Sequence, residues 1–187
     1  MDECSPDRHL LARARAGDEE AFRLLVERYE PVVASTVIGM LGPGDEADDV
    51  GQETFIRFYR SLDRFRGEAS LATYLRRIAM NLSLNALERR RRWLRRFVSR
   101  DRVAAPLPEP GEDGEAVIEA RERQALVRAA LDRLGPKHRP VVVLRMIDGC
   151  STRETAEILG IPEGTVLSRL ARALERIERD LEPYIRD

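Results

Sequence analysis

Lysine is almost missing from this chain: Lys137 is the only one among 187 residues. Nearly every positive charge is therefore a guanidinium, and with arginine used everywhere no single arginine marks a site by itself. Cysteine is scarce too. Cys4 and Cys150 lie far apart and form no metal-spaced cluster, which argues against a disulfide framework and for a reduced, cytoplasmic setting. Aromatics make up 5% of the chain. No apolar run approaches the roughly 20 residues a bilayer span needs, and residues 1–8 are polar and acidic, unlike a signal peptide. Strand-like alternation is nearly absent. Also lacking are a carboxylate cluster with metal spacing, a phosphate-binding glycine loop and a nucleophile–base pair. No catalysis, cofactor, metal or small-molecule substrate is expected. The acids between Asp45 and Glu53 could imitate a metal site, but at such density on a helix they more often form a solvated face.

What is present is helix and segregated charge. Hydrophobic residues at 43% beside 35% charged are ordinary for a soluble, helix-rich protein. The net charge is −1, but its distribution matters more for partners. No basic residue stands between Arg28 and Arg57, where Asp45, Glu46, Asp48, Asp49 and Glu53 gather. From Arg76 to Arg102 ten arginines face only Glu88 and Asp101. A short first helix is expected to close at Gly17. Asp18 can cap a second that turns Phe22, Leu25, Val26 and Tyr29 inward and bends or restarts at Pro31. After the Gly42-Pro43-Gly44 turn a third helix is expected over about 45–62. A loop over 65–70 follows, then a fourth helix capped by Ser70, packing Leu71, Leu75, Ile78 and Leu82 and running on into residues 89–92. Composition then changes. Residues 104–114 alternate proline, glycine and acid, and read as an interdomain tether too polar to order itself. Helical pattern resumes near Glu115. It breaks at Gly135-Pro136, resumes over 141–146 and breaks again at Asp148-Gly149. The expected architecture is all-α: a domain over 1–97, a flexible Pro/Gly/acidic linker over 98–117 and a second domain over 118–187.

The end of the chain carries the sharpest motif. Ser151-Thr152-Arg153-Glu154 is a capping box. Ala156, Ile158 and Leu159 form the buried side of a short helix, Gly160 suits the left-handed residue that ends it, and Pro162 opens the next. These are the parts of a helix-turn-helix. At about 100° per residue Val166, Leu170, Ala173, Leu174, Ile177 and Leu181 fall in one apolar stripe. Thr165, Ser168, Arg169, Arg172, Arg176 and Arg179 fall opposite, offering hydroxyl and guanidinium donors to a major groove and its phosphates. A solvated amphipathic helix is the bland alternative, since Glu163, Glu175, Glu178 and Asp180 leave the helix neutral. The third helix sorts as cleanly. Ala47, Val50, Thr54, Phe55, Phe58 and Leu62 share one side; Asp48, Asp49, Gln52, Glu53, Ile56 and Tyr59 share the other.

Residues 153–170 (RETAEILGIPEGTVLSRL) resemble region 4.2 of the extracytoplasmic-function (ECF) group of sigma-70 family transcription factors. Residues 48–57 (DDVGQETFIR) resemble region 2.2. FRGEASL from Phe65 and YLRRIAMN from Tyr74 resemble regions 2.3 and 2.4. Both halves in order, with a tether between, cover nearly the whole chain. The resemblance implies a non-enzymatic sigma factor with a region 2 helical bundle and a region 4 helix-turn-helix domain. It would bind core RNA polymerase, at the β′ clamp helices and β flap, and promoter DNA, and be held by an anti-sigma factor. It places core binding on Asp48, Asp49, Gln52, Glu53 and Ile56. Reading and melting of the −10 element fall to Phe65, Arg66, Ser70, Tyr74, Arg76, Arg77, Asn81 and Asn85, for which a base is held out of its stack with phosphates neutralised nearby. Reading of the −35 element falls to Thr165, Ser168, Arg169, Arg172 and Arg176. Leu167 departs from the family's pattern, where a basic residue often precedes the Ser-Arg pair. Two other classes remain in view: a helix-turn-helix repressor or activator acting without polymerase, and a catalytic nucleic-acid protein.

Overall fold

Capping chemistry sets the helix boundaries. The computed structural model describes residues 6–97 and 115–185. After α1 (Pro6–Arg15), Asp18 accepts the Ala21 N–H at 3.0 Å and starts α2 (Glu19–Leu41). This helix continues through Pro31, where the sequence predicts a bend or restart. Pro31 and Glu27 are both exposed, so the carbonyl deprived of its helical donor is left to water and the ring disturbs no packing. Gly42 and Gly44, at φ +99° and +130°, turn the chain into α3 (Asp45–Arg60). The cap at Gly44 has no side chain, and Asp45, Glu46 and Asp48 in the first turn complement the helix dipole instead. Part of the acidic cluster thus has a structural task. A 3-10 turn (Leu62–Arg64) leads to the loop before α4 (Leu71–Phe97), where the Ser70 hydroxyl accepts the Thr73 N–H at 3.1 Å.

These helices enclose one core of Leu25, Val33, Val37, Phe58, Leu75 and Ala79. Phe58 is fully buried, its ring 5.9 Å from that of Phe22 and 6.2 Å from that of Tyr74.

The tether expected over 104–114 lies outside the described residues. The second half begins with α5 (Glu115–Arg133) and α6 (Arg139–Val142). The latter widens into a π-helical turn (Val143–Ile147), followed by α7 (Thr152–Leu159) and α8 (Glu163–Ile185). The capping box is complete: Glu154 N–H donates to the Ser151 hydroxyl at 3.1 Å, and Ser151 N–H to the Glu154 carboxylate at 2.8 Å. Gly160 ends α7 in the left-handed conformation at φ +63°. Leu131, Leu134, Val142 and Ala173 form this half's core, with Leu170 and Ile177 against it. Leu174, expected in the buried stripe, is instead 39% exposed, because at about 100° per residue it falls at the edge of that stripe, while Ala173 and Ile177 on either side of it in sequence meet the core.

The capping carboxylates make stability acid-sensitive. Hydrogen bonds hold both below the usual carboxylate range: chiefly the Ala21 backbone N–H, then the Arg13 guanidinium, for Asp18, and the Ser151 backbone N–H, then its hydroxyl, for Glu154. A pKa lowered by folding stabilises above the unfolded value of about 4 and loses that contribution as pH falls toward the lowered one. Thermal melts should therefore decline as pH drops from about 6 to about 3. At neutral pH, Ser151→Ala should cost about 1 kcal/mol in urea titrations; a midpoint equal to wild type would refute the cap's contribution.

The halves also pack on each other. Met40 of α2 and Met80 of α4 are buried with Val143, Leu144, Cys150 and Ile158. Burial pushes the Cys150 thiol up.

Candidate nucleic-acid and protein interfaces

The two sides of α3 emerge as the periodicity predicts. Ala47, Val50, Thr54 and Phe58 are buried, and Asp48, Asp49, Gln52 and Ile56 are exposed. Glu53, half-buried, accepts from Arg57 Nε at 2.8 Å. Asp49, Gln52 and Ile56 line a groove between α3 and α4 with Asn85 and Arg89 on its far wall. Beside it Ile56 and Tyr59, which the sequence puts on the outer face, are joined by two rings that it places inward. Phe22 reaches over from α2 to join Phe55, Ile56 and Tyr59, its ring 4.9 Å from Tyr59 and edge-on. The signal was a phenylalanine near the start of α2, which periodicity places inward; it is only half-buried. An apolar centre rimmed by acids and an amide is a protein-docking surface in chemical make-up.

Around the loop over 65–70 the expected residues divide. Phe65 is 8% exposed, its ring 4.9 Å from that of Tyr74. The Tyr74 hydroxyl donates to Ser61 Oγ at 3.0 Å. Phe65 belongs to the core, and Tyr74 packs against it while remaining half-buried. Arg15 fastens this stretch from α1, donating to the Leu62 carbonyl at 3.1 Å and to the Phe65 carbonyl. Arg66 projects into solvent near Glu68. Ser70 is spent on the cap. Asn81 and Asn85 are exposed along α4, one turn apart. Arg76 and Arg77 both reach the second half: Arg76 lies against Asp148, and Arg77 donates to the Glu157 carbonyl at 2.8 Å.

On α8, Val166 and Ala173 are buried while Ser168, Arg172 and Arg176 are exposed. Thr165 and Arg169 are half-buried, as their position beside the apolar stripe dictates. Ser168 Oγ donates to the Thr165 carbonyl at 3.1 Å, a local bond readily exchanged for one to a ligand. Leu167 is 54% exposed and leaves an apolar gap in the donor face. Among the described residues, no group of three or more His, Cys, Asp or Glu could hold a metal ion. No helix there is long and apolar enough to cross a membrane.

Comparison with known proteins decides the family. The model for Sigma-70 region 2 matches residues 25–93, and that for Sigma-70, region 4 matches residues 124–177. The ECF RNA polymerase sigma-E factor of Salmonella typhimurium is 40% identical, covering 100% of both chains. The chain belongs to the ECF group of the sigma-70 family. The RNA polymerase sigma-H factor of Pseudomonas aeruginosa is 36% identical over 97% of this chain and 96% of its own. Among solved structures, CnrH in complex with the cytosolic domain of CnrY matches with a TM-score of 0.68 at 28% identity. That match covers 96% of this chain and 99% of CnrH. This sigma factor binds core RNA polymerase and promoter DNA and directs promoter-specific initiation. Members of the family are non-catalytic initiation factors. The region 2 match runs from within α2 to within α4, and the region 4 match from within α5 to within α8.

Proposed function

We propose how the surfaces divide that work. The outer face of α3, with Asp48, Asp49, Gln52, Glu53 and Ile56, grips the clamp helices of the polymerase β′ subunit, and region 4 meets the β flap. Arg66, Arg76, Arg77, Asn81 and Asn85 engage the −10 element. The amides suit base edges and the guanidiniums suit phosphates. Phe65, Ser70 and Tyr74 shape that surface from beneath. On α8, Thr165, Ser168, Arg169, Arg172 and Arg176 read the −35 element as duplex, the helix-turn-helix mode. Residues 1–97 and 118–187 are the working domains, and 98–117 joins them along the RNA exit path. The protein works in the cytoplasm and is held inactive by an anti-sigma factor; the similar CnrH is seen in complex with the cytosolic domain of CnrY.

One observation carries the DNA reading. The Ser168, Arg172 and Arg176 face of α8 is open to solvent opposite the buried Val166 and Ala173. The test is run-off transcription with purified core polymerase on genomic fragments. The wild type should give discrete promoter-dependent transcripts. Arg172→Ala should reduce them by roughly 10- to 100-fold, the worth of one good base or phosphate contact, while still binding core. Undiminished transcripts from Arg172→Ala would remove α8 from promoter reading. Tight operator binding by the free protein, with no transcript on adding core, would favour a repressor-type mode.

A further inference from the structure

Leu87, Arg90, Arg91 and Leu94 recur on α4 at the three- and four-residue spacing that makes helix residues neighbours. They meet the corner between α5 and α6, where Asp132, Leu134 and Arg139 continue the lining of a cavity of about 250 Å³. The two sides are held in register from α2. Asp148 accepts the Ser35 and Thr36 hydroxyls at 2.6 Å each, and Gly39 lets Val143 approach, since a Cβ on it would lie 2.8 Å from Val143 Cγ1. Charge in the lining is unbalanced. The Arg139 side chain is 6% exposed; its Nη1 donates to Asp132 at 2.6 Å and its Nε to the Gly39 carbonyl at 3.2 Å. Its Nη2 is buried with no hydrogen-bond partner among the described residues. A guanidinium nitrogen left so costs free energy until something accepts from it. Arg90 and Arg91 are exposed, so the cavity opens to solvent on their side. Neither has an acidic partner among the described residues; Glu88, the acid nearest in sequence, faces Arg92 at 3.9 Å. Three guanidiniums against one carboxylate leave a surplus of two positive charges around a partly apolar hollow.

We infer that this cavity binds a small ligand through a terminal phosphate dianion, either free phosphate or a phosphomonoester. Such a group carries a charge of about −1.5 to −2 at neutral pH, which matches the surplus. The planar fork of arginine suits its oxygens in pairs, where lysine would act only as a point charge. A ligand oxygen set against Arg139 gives Nη2 the acceptor it lacks, and Arg90 and Arg91 close over the phosphate from the rim. Leu87, Leu94 and Leu134 form an apolar wall for the organic part of a monoester. Neither α4 nor the α5–α6 corner makes this site alone.

The test is isothermal titration calorimetry of the full-length protein with sodium phosphate and, separately, adenosine monophosphate, at constant ionic strength. Saturable one-to-one binding is expected. Tighter binding of the nucleotide makes a monoester the ligand; tighter or equal binding of phosphate makes it the free ion. Arg90→Gln with Arg91→Gln should weaken binding at least about tenfold, the worth of one charge-assisted hydrogen bond. Leu94→Glu, which sets a carboxylate at the mouth from a position already 40% exposed, should abolish it. Melting curves in chloride show that these variants are folded. Arg92→Gln takes a guanidinium from the same helix outside the lining and should leave the affinity unchanged. An equal loss in Arg92→Gln reduces the effect to general attraction by an arginine-rich helix and overturns the site. No saturable binding up to about 10 mM, far weaker than three charge-assisted contacts would leave it, overturns it as well. Acetate competing as well as phosphate would overturn the dianion. Displacement of the nucleotide by an oligonucleotide without a terminal phosphate would overturn the small ligand in favour of a nucleic-acid backbone.

Discussion

Replacing Asp49 and Gln52 together by arginine is expected to abolish binding to core polymerase while region 2 stays folded. Both side chains are exposed on α3, in the groove beside Ile56 and Arg89, and no fold contact depends on them. Asp45, Glu46 and Asp48 still serve the first turn, so the helix loses at most a few tenths of a kcal/mol. At the interface the change is far larger. One negative charge is lost and two positive ones enter a docking face, and like-charge juxtaposition there costs several kcal/mol. A loss of 3 kcal/mol already means a more than hundredfold weaker complex. Pull-down with purified core reads it, beside a melting curve showing the domain intact. Retained binding would move the polymerase contact elsewhere.

Phe58→Ala should unfold region 2 or leave it barely stable. The ring is fully buried where α2, α3 and α4 meet, stacked near Phe22 and edge-on to Tyr74. Truncating a buried phenylalanine costs about 3–5 kcal/mol, against a total of about 5–15 for a small domain. Close-packed neighbours cannot refill such a space without abandoning their rotamers. The same residue fastens α3 to α2 and α4, so core binding should fall with stability and not independently of it. Urea denaturation checks the first effect. A loss below about 1 kcal/mol would mean that the core can collapse into the gap.

Much of this was legible because it is local. Asp18, Ser70, the Ser151–Glu154 box and Gly160 each act within a few residues, and all fall where the sequence puts them. The two faces of α3 follow from helical period alone. Periodicity fails where a residue's angle does not settle its neighbours. Leu174 falls at the edge of the apolar stripe and stays 39% exposed, although Ala173 beside it is buried. Phe65, in a loop, has no period to follow, and its burial against Tyr74 is set by tertiary packing. Pro31 misleads because its cost depends on which way the helix faces. The meeting of the domains was the least legible feature. Ser35, Thr36 and Gly39 look unremarkable on α2, and Asp148 stands in what reads as a plain turn. Only contacts spanning more than 100 residues give them meaning.

Val141, Val142, Val143 and Leu144 are all buried in succession, which one-sided packing of a helix does not allow. Val142 serves region 4's own core, while Val143 and Leu144 face Met40 and Met80 across the domain boundary. Separating the domains would bring that second set into water together with Cys150 and Ile158. Contiguous apolar surface of this kind promotes self-association. An open, unbound molecule would therefore be the form most prone to aggregate, and solubility itself favours domains that part only when a partner stands ready to cover what they expose.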